Sequence, residues 1–236
     1  MRQIIAIGAG GFSIEPDNLA LDRYILDQSH KPDPKICFLP TASGDADGYI
    51  LNFYKAFTTL NCLPTFLSLF RLPTADLESF ILEQDILYVG GGNTRSLLAL
   101  WREWGLDKHL FKAYQAGVVL AGLSAGANCW FEDCSTDALP GELQSLLCLG
   151  YLPGSFCPHY NSEPERRLSY QGMIQKGLLR DGLAADDGAA AHFIDEQLIR
   201  VVSSRPEAKM YRVSKLMGAV HEETLETRYL SGESQK

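Results

Sequence analysis

The sequence predicts an α/β protein in three layers, with helices on both faces of a mostly parallel sheet. Two observations predict it. Short apolar runs recur without strict polar alternation, as strands buried on both faces do. Amphipathic stretches of helix length separate them. The 236 residues suffice to bury one good core, and no internal repeat or dividing linker appears, so 1–236 reads as a single domain.

Gln3-Ile7 is the first predicted strand and ends in the turn Gly8-Ala9-Gly10-Gly11. Asp17 to Ser29 carries Leu19, Leu21, Tyr24, Ile25 and Leu26 behind an Asp cap and reads as a helix. Lys35-Leu39, Thr65-Leu69, Ile86-Gly90 and Val118-Gly122 read as further strands, and Ser96-Trp104 and Lys108-Ala116 as helices. Beyond Ser124, Ala125 to Phe131 reads as a helix, and Asp133 to Glu142 as a polar loop rich in turn residues. Strands follow at Gly154-Cys157, Leu183-Ala185, Ala189-Ile194, Leu198-Ser203 and Lys209-Val213, with a helix from about Glu163 to Leu179. The polar end Gly232-Lys236 is expected to fray.

Hydrophobic residues at 46% and charged residues at 21% match ordinary globular usage and exclude disorder and fibrous repeats. No apolar run reaches the roughly 18 residues that cross a bilayer. The start, MRQIIAIGAGG, reads as a strand and not as a cleavable signal, so a cytoplasmic location and no membrane partner are expected. A net charge of -8, without a basic block interleaved with aromatics, argues against nucleic acid. The six cysteines lack C-x-x-C pairs, so they read as buried thiols and not as a zinc site or disulfide framework. Cys157 stands out only for its neighbours. No metal or cofactor is expected.

The sharpest motif is Gly122-Leu123-Ser124-Ala125-Gly126, directly after the apolar run Val118-Ala121. This is G-x-S-x-G in strand-turn-helix context, the pattern of a nucleophile elbow. The turn strains the central residue, and the flanking glycines remove Cβ atoms that would clash, so the hydroxyl projects above the sheet. A helix starting there adds N–H donors for an oxyanion. The bland alternative is a tight packing turn with an inert serine. A second cluster, Gly90-Gly91-Gly92-Asn93-Thr94, ends the strand before it. One of its N–H groups, with that of Ala125, makes a two-donor oxyanion hole. The competing phosphate-loop reading lacks the Gly-Lys-Ser/Thr of a Walker motif. A nucleotide role for Gly8-Gly11 rests on that short turn alone.

Five histidines compete for the role of base. His30 and His109 accompany helix-like segments, His192 lies in an apolar strand as a packed residue, and His221 is near the C-terminus. His159 follows a short strand at the Pro-shaped turn Phe156-Cys157-Pro158-His159-Tyr160, where catalytic residues of such sheets collect.

Taken in order, these motifs resemble peptidase E, the aspartyl dipeptidases, and their relatives the cyanophycinases. The resemblance runs from about Ile4 to Val213 through Gly8-Gly11, Leu39-Pro40-Thr41-Ala42, Val89-Thr94, Gly122-Asn128 and Pro158-Tyr160. It implies a fold similar to class I glutamine amidotransferases and flavodoxin. It also implies a serine peptidase acting on small peptides, such as dipeptides with N-terminal Asp. Ser124 then matches the nucleophile, His159 the base, and Gly91 or Gly92 with Ala125 the oxyanion donors. Asn93 and Arg166 are the substrate-binding candidates, with Arg167 beside them. For the orienting acid, Asp187 matches a later position and Asp133 or Asp137 an earlier loop. Asp187 is preferred, because it lies between two apolar strand segments and precedes a glycine, with Asp186 pointing the other way. Cyanophycinase-like cleavage of β-aspartyl bonds and a non-catalytic binding role are the alternatives. A homodimer is left open.

Overall fold

The computed structural model describes residues 1–231; the expectation for Gly232-Lys236 lies outside the described residues. The chain forms β1 (Gln3–Ile7), α1 (Ala20–Asp27), β2 (Lys35–Leu39), α2 (Asp47–Phe57), β3 (Leu63–Phe66), α3 (Leu77–Leu82) and β4 (Ile86–Val89). It continues through α4 (Thr94–Trp104), α5 (Leu106–Ala116), β5 (Val119–Leu123), α6 (Ala125–Asn128), β6 (Phe131–Thr136), β7 (Gln144–Leu147) and β8 (Leu152–Cys157). It ends with α7 (Arg166–Gln175), β9 (Gly182–Ala185), β10 (Ala189–Ile194), β11 (Gln197–Ser203), β12 (Met210–Leu216), β13 (Ala219–Thr224) and β14 (Arg228–Tyr229).

The main sheet has the order β14-β11-β10-β1-β5-β4-β2-β3. Its five strands β1 to β5 run parallel, and β10 then pairs antiparallel with β1. Alternation along each strand sends successive side chains to opposite faces. Ile5 and Ile7 of β1 join Phe38, Tyr88 and Ala121 under α1 and α2, whereas Ile4 and Ala6 join Leu39, Val89 and Leu120 under α4 and α5. Both faces are covered, so the strands carry apolar residues at nearly every position.

A second sheet, β13-β12-β9-β8-β6-β7, is absent from the sequence-based reading. Phe131–Thr136 is a strand and not the helix end and polar loop expected there, and α6 stops at Asn128. The two sheets share one core: Phe131, Phe156 and Leu183 of the second belong to the same buried cluster as Ile4 and Leu120 of the first. α7 packs on the outer face through Tyr170, Met173 and Ile174 against Cys157, Ala184 and Val213. Three residues, Asp186 to Gly188, carry the chain from β9 in one sheet to β10 in the other.

Candidate active site

The C-terminal ends of β1, β4 and β5 lie side by side in the main sheet, where open α/β sheets form their ligand crevice. Ser124 closes β5 and opens α6. Its φ of 52° and ψ of -115° lie outside the regions that L residues adopt freely. Backbone contacts hold it there. Its N–H donates to the Ile7 carbonyl at 3.1 Å, and its carbonyl accepts from Ala127 and Asn128 at 3.0 and 2.9 Å. A Cβ on Gly122 would lie 2.1 Å from the Gly126 oxygen, and one on Gly126 would lie 2.3 Å from the Val89 oxygen. The two glycines of the motif thus let α6 press onto β4 and β5 and aim the hydroxyl outward.

His159 stands just past the end of β8 with φ 56°. Its Nε2 is 2.9 Å from Ser124 Oγ and its Nδ1 is 2.8 Å from Asp187 Oδ1. Asp187 sits in the passage between the sheets and pairs with Ala9 in an isolated bridge. Its N–H donates to Asn161 Oδ1 at 2.9 Å, while the next N–H, of Gly188, donates to the Ala9 carbonyl at 2.6 Å. Asp186 faces away, accepting from the Lys209 N–H at 3.0 Å and the Tyr211 hydroxyl at 3.4 Å. Burial alone would raise the Asp187 carboxyl. Hydrogen bonds from His159 and Ser162, with the charges of His159 and Arg205, hold it below the ordinary carboxylate value. An ionised Asp187 accepts the Nδ1–H, which leaves Nε2 to accept the serine proton.

The other acids are engaged elsewhere. Asp133 is a buried strand residue paired with Arg180, not a loop residue. Asp137 lies past the end of β6, its side chain 64% exposed, 3.5 Å from Arg166. Among the remaining histidines, His109 faces Glu78 at 3.2 Å. His192 is buried between the Tyr24 hydroxyl (2.7 Å) and Gln3 Oε1 (3.1 Å), as its apolar strand predicts. Burial pushes the Cys157 thiol up to about 12, so it stays protonated at neutral pH.

Of the oxyanion candidates, Gly91 spends its N–H on the Tyr49 hydroxyl at 3.1 Å. The N–H groups of Gly92 and Ala125 have no acceptor among the described residues. Asn93 caps α4, accepting from the Ser96 N–H at 2.9 Å and donating to the Ala138 carbonyl at 2.8 Å. Arg166 is not brought to the crevice as a free cation. It is only 2% exposed and holds Glu163 through two hydrogen bonds of 2.6 and 3.2 Å. Arg167 pairs with Glu222 and lies over the rings of Tyr160 and Tyr211, 5.1 and 4.9 Å from their centres. Both arginines are already neutralised by glutamates.

Beside Ser124 and His159 a pocket of about 310 Å³ opens, walled by Ala9, Ser13, Ile14, Tyr49 and Leu123 together with Gly91 and Gly92. Tyr49 and Ser13 are site residues that sequence reasoning missed. The only available signal was Ser13 closely following the first glycine turn; Tyr49 belongs to α2, which that reading did not assign.

A strained serine at a strand-helix elbow, bonded to a histidine that a carboxylate orients, on a parallel sheet with helices on both faces, defines the serine hydrolase class. Residues 4–201 match the model of Peptidase family S51, and the chain belongs to that family of serine peptidases. It is 58% identical over 230 residues to the Uncharacterized peptidase YgaJ of Bacillus subtilis, covering 98% of this chain and all of that protein. It is 28% identical to Peptidase E of Streptomyces coelicolor, over 72% of this chain and 69% of that one. Two crystal structures share the fold. One is a peptidase from an acI-B1 Actinobacterium (TM-score 0.73, 18% identity, 99% of this chain and 96% of that one). The other is a putative peptidase E protein from Listeria monocytogenes (TM-score 0.63, 20% identity, 84% and 97%). The protein is thus a peptidase of the peptidase E kind. No helix among the described residues is long and apolar enough to cross a membrane.

Proposed function

We propose that this chain, acting as one domain, hydrolyses small peptides through Ser124, His159 and Asp187. The observation that carries the reading is the unbroken hydrogen-bond chain from Ser124 Oγ through both ring nitrogens of His159 to Asp187, at 2.9 and 2.8 Å.

His159 Nε2 takes the Ser124 proton as Oγ attacks the scissile carbonyl carbon. The carbonyl oxygen becomes an oxyanion that accepts hydrogen bonds from the Gly92 and Ala125 N–H groups. As the intermediate collapses, the imidazolium returns its proton to the leaving amine and the C–N bond breaks. Water, deprotonated by the same nitrogen, then attacks the acyl ester, and Oγ leaves with the proton. Asp187 remains ionised throughout, fixing the tautomer and stabilising the imidazolium. A pocket of about 310 Å³ suits one residue on each side of the bond, hence dipeptides.

The test is turnover of a dipeptide panel by wild type and Ser124→Ala. The variant is expected to keep its circular dichroism and melting temperature, because the hydroxyl is half-exposed and its hydrogen bond among the described residues is to His159, and to lose turnover by about 10⁴ or more. Undiminished hydrolysis by a folded Ser124→Ala protein would remove the reading.

A further inference from the structure

We propose that the hydroxyl pair Tyr49–Ser13 selects the substrate, by donating one hydrogen bond to an uncharged acceptor on the side chain of the residue whose carbonyl Ser124 attacks. The pocket therefore favours an asparagine-like side chain over an apolar one of the same shape, and disfavours a carboxylate. The proposal rests on the assignment of Ser124 as nucleophile.

The argument begins with a proton count. Tyr49 Oη lies 3.1 Å from Ser13 Oγ and accepts the Gly91 N–H at 3.1 Å. If Ser13 donates to Tyr49, both lone pairs of the phenol oxygen are taken and the phenol proton is left over. If Tyr49 donates to Ser13, the serine proton is left over instead. In either arrangement one O–H remains unspent, and both side chains line the pocket that contains Ser124 and His159. Both residues are half-buried in an open pocket, so water takes this bond in the free protein; a ligand acceptor that displaces the water recovers it, whereas an apolar group does not.

The position of that donor is fixed. The Tyr49 ring stacks on Phe12 with centres 5.5 Å apart and meets the edge of Phe38 at 5.1 Å. Gly90 makes room for it, since a Cβ there would lie 2.9 Å from the Tyr49 ring. Gly91, which holds the hydroxyl, is itself against the nucleophile; its Cβ would touch that of Ser124 at 3.4 Å. A phenylalanine would pack as well but would release the Gly91 N–H, so the hydroxyl holds that loop and at the same time presents a donor to the pocket.

The charge around the pocket sets the second half of the proposal. Its walls carry no ionisable group except His159 and the Tyr49 phenol. Behind them lie the carboxylates of Asp187 and Glu15, beside the guanidinium of Arg205, which Glu15 already engages at 2.7 Å. Arg166 and Arg167 are paired with glutamates. A substrate carboxylate would shed water without meeting a free cation, whereas a neutral amide or hydroxyl oxygen loses little and gains the O–H.

Asparagine, leucine and aspartate have side chains of one shape and three polarities, so Asn-Ala, Leu-Ala and Asp-Ala dipeptides isolate the effect. Wild type is expected to show kcat/KM in the order Asn, Leu, Asp, with about five- to tenfold between Asn and Leu. Tyr49→Phe should bring the ratio of the Asn-Ala to the Leu-Ala value down to about one, whatever loss the two substrates share through the Gly91 loop. Ser13→Ala, which keeps the phenol proton and the Gly91 bond, should retain most of the Asn preference. Loss of activity on Asn-Ala and Leu-Ala by the same factor in Tyr49→Phe would make Tyr49 a prop for the Gly91 loop and overturn the proposal. So would a wild-type preference for Asp-Ala or Leu-Ala over Asn-Ala, a result that needs no variant to fold. Ser124→Ala on the same three substrates separates the two claims: persistent turnover there would refute the nucleophile, whatever the order of preference.

Discussion

Two buried ionisable residues away from Ser124 give the protein opposing responses to acid. His192 lies between Tyr24 and Gln3, where burial and the charge of Arg200 lower its pKa to about 4. The unfolded chain protonates this histidine below about 6.5, so stability is lost as pH falls from there toward 4. Asp22 is fully buried and accepts the Phe12 N–H at 2.9 Å; burial raises its carboxyl to about 7 against that bond. Here the native state holds the extra proton, so stability is lost as pH rises from about 4 through 7. Each shift corresponds to on the order of 3 to 4 kcal/mol across its window. Relative to wild type, His192→Gln should gain stability as the pH falls from 7.5 to 4.5, and Asp22→Asn should gain as it rises. Urea unfolding of the three proteins at both pH values checks this; parallel curves for all three would contradict it. A strand of alanines around His192 made its packed role legible in the sequence, and Ser124 and His159 were legible because local turn chemistry marks both. Asp187 was separable from Asp133 and Asp137 by its apolar neighbours. Tyr49 was not legible, because its meaning lies in contacts with Ser13 and Gly91, 36 and 42 residues away.

Helix α6 shows what the glycines contribute at the scale of an element. It is four residues long, too short to persist by its own hydrogen bonds, and survives by contact with β4 and β5. Gly126→Ala puts a methyl group into the Val89 carbonyl, so helix and strand must part. A loss of about 3 kcal/mol is expected, with turnover falling because Ser124 opens this helix. Gly172, in the middle of α7, has open space around the position of a Cβ, and Gly172→Ala should gain about 0.5 to 1 kcal/mol. Thermal unfolding of the two variants should thus shift in opposite directions; a shared direction would contradict the packing described for α6. The parallel strands β1, β2, β4 and β5 were legible to within a residue because burial on both faces leaves uninterrupted apolar runs. The strand from Phe131 was not, since Glu132, Asp133, Ser135 and Thr136 look like a loop until Arg180 and the neighbouring strands supply their partners.

At the scale of the molecule, the two sheets meet where the chemistry is proposed. Ser124 belongs to the main sheet, His159 to the end of β8 in the second, and Asp187 to the passage between them. Assembly of the site therefore reports that both sheets have docked. This division was invisible in the sequence, which shows which segments are strands but not which neighbours they choose. The account's central claim is that Ser124 is activated by His159 under the direction of Asp187. The most direct measurement is covalent labelling by a serine-directed phosphonofluoridate, with the adduct located by peptide mass mapping and its rate followed in wild type, Asp187→Asn and Asp137→Asn. The predicted result is one adduct on Ser124, formed about 10³ to 10⁴ times more slowly in Asp187→Asn and at the wild-type rate in Asp137→Asn. An adduct on any other residue, or a Ser124 adduct whose rate follows Asp137 and ignores Asp187, would contradict it.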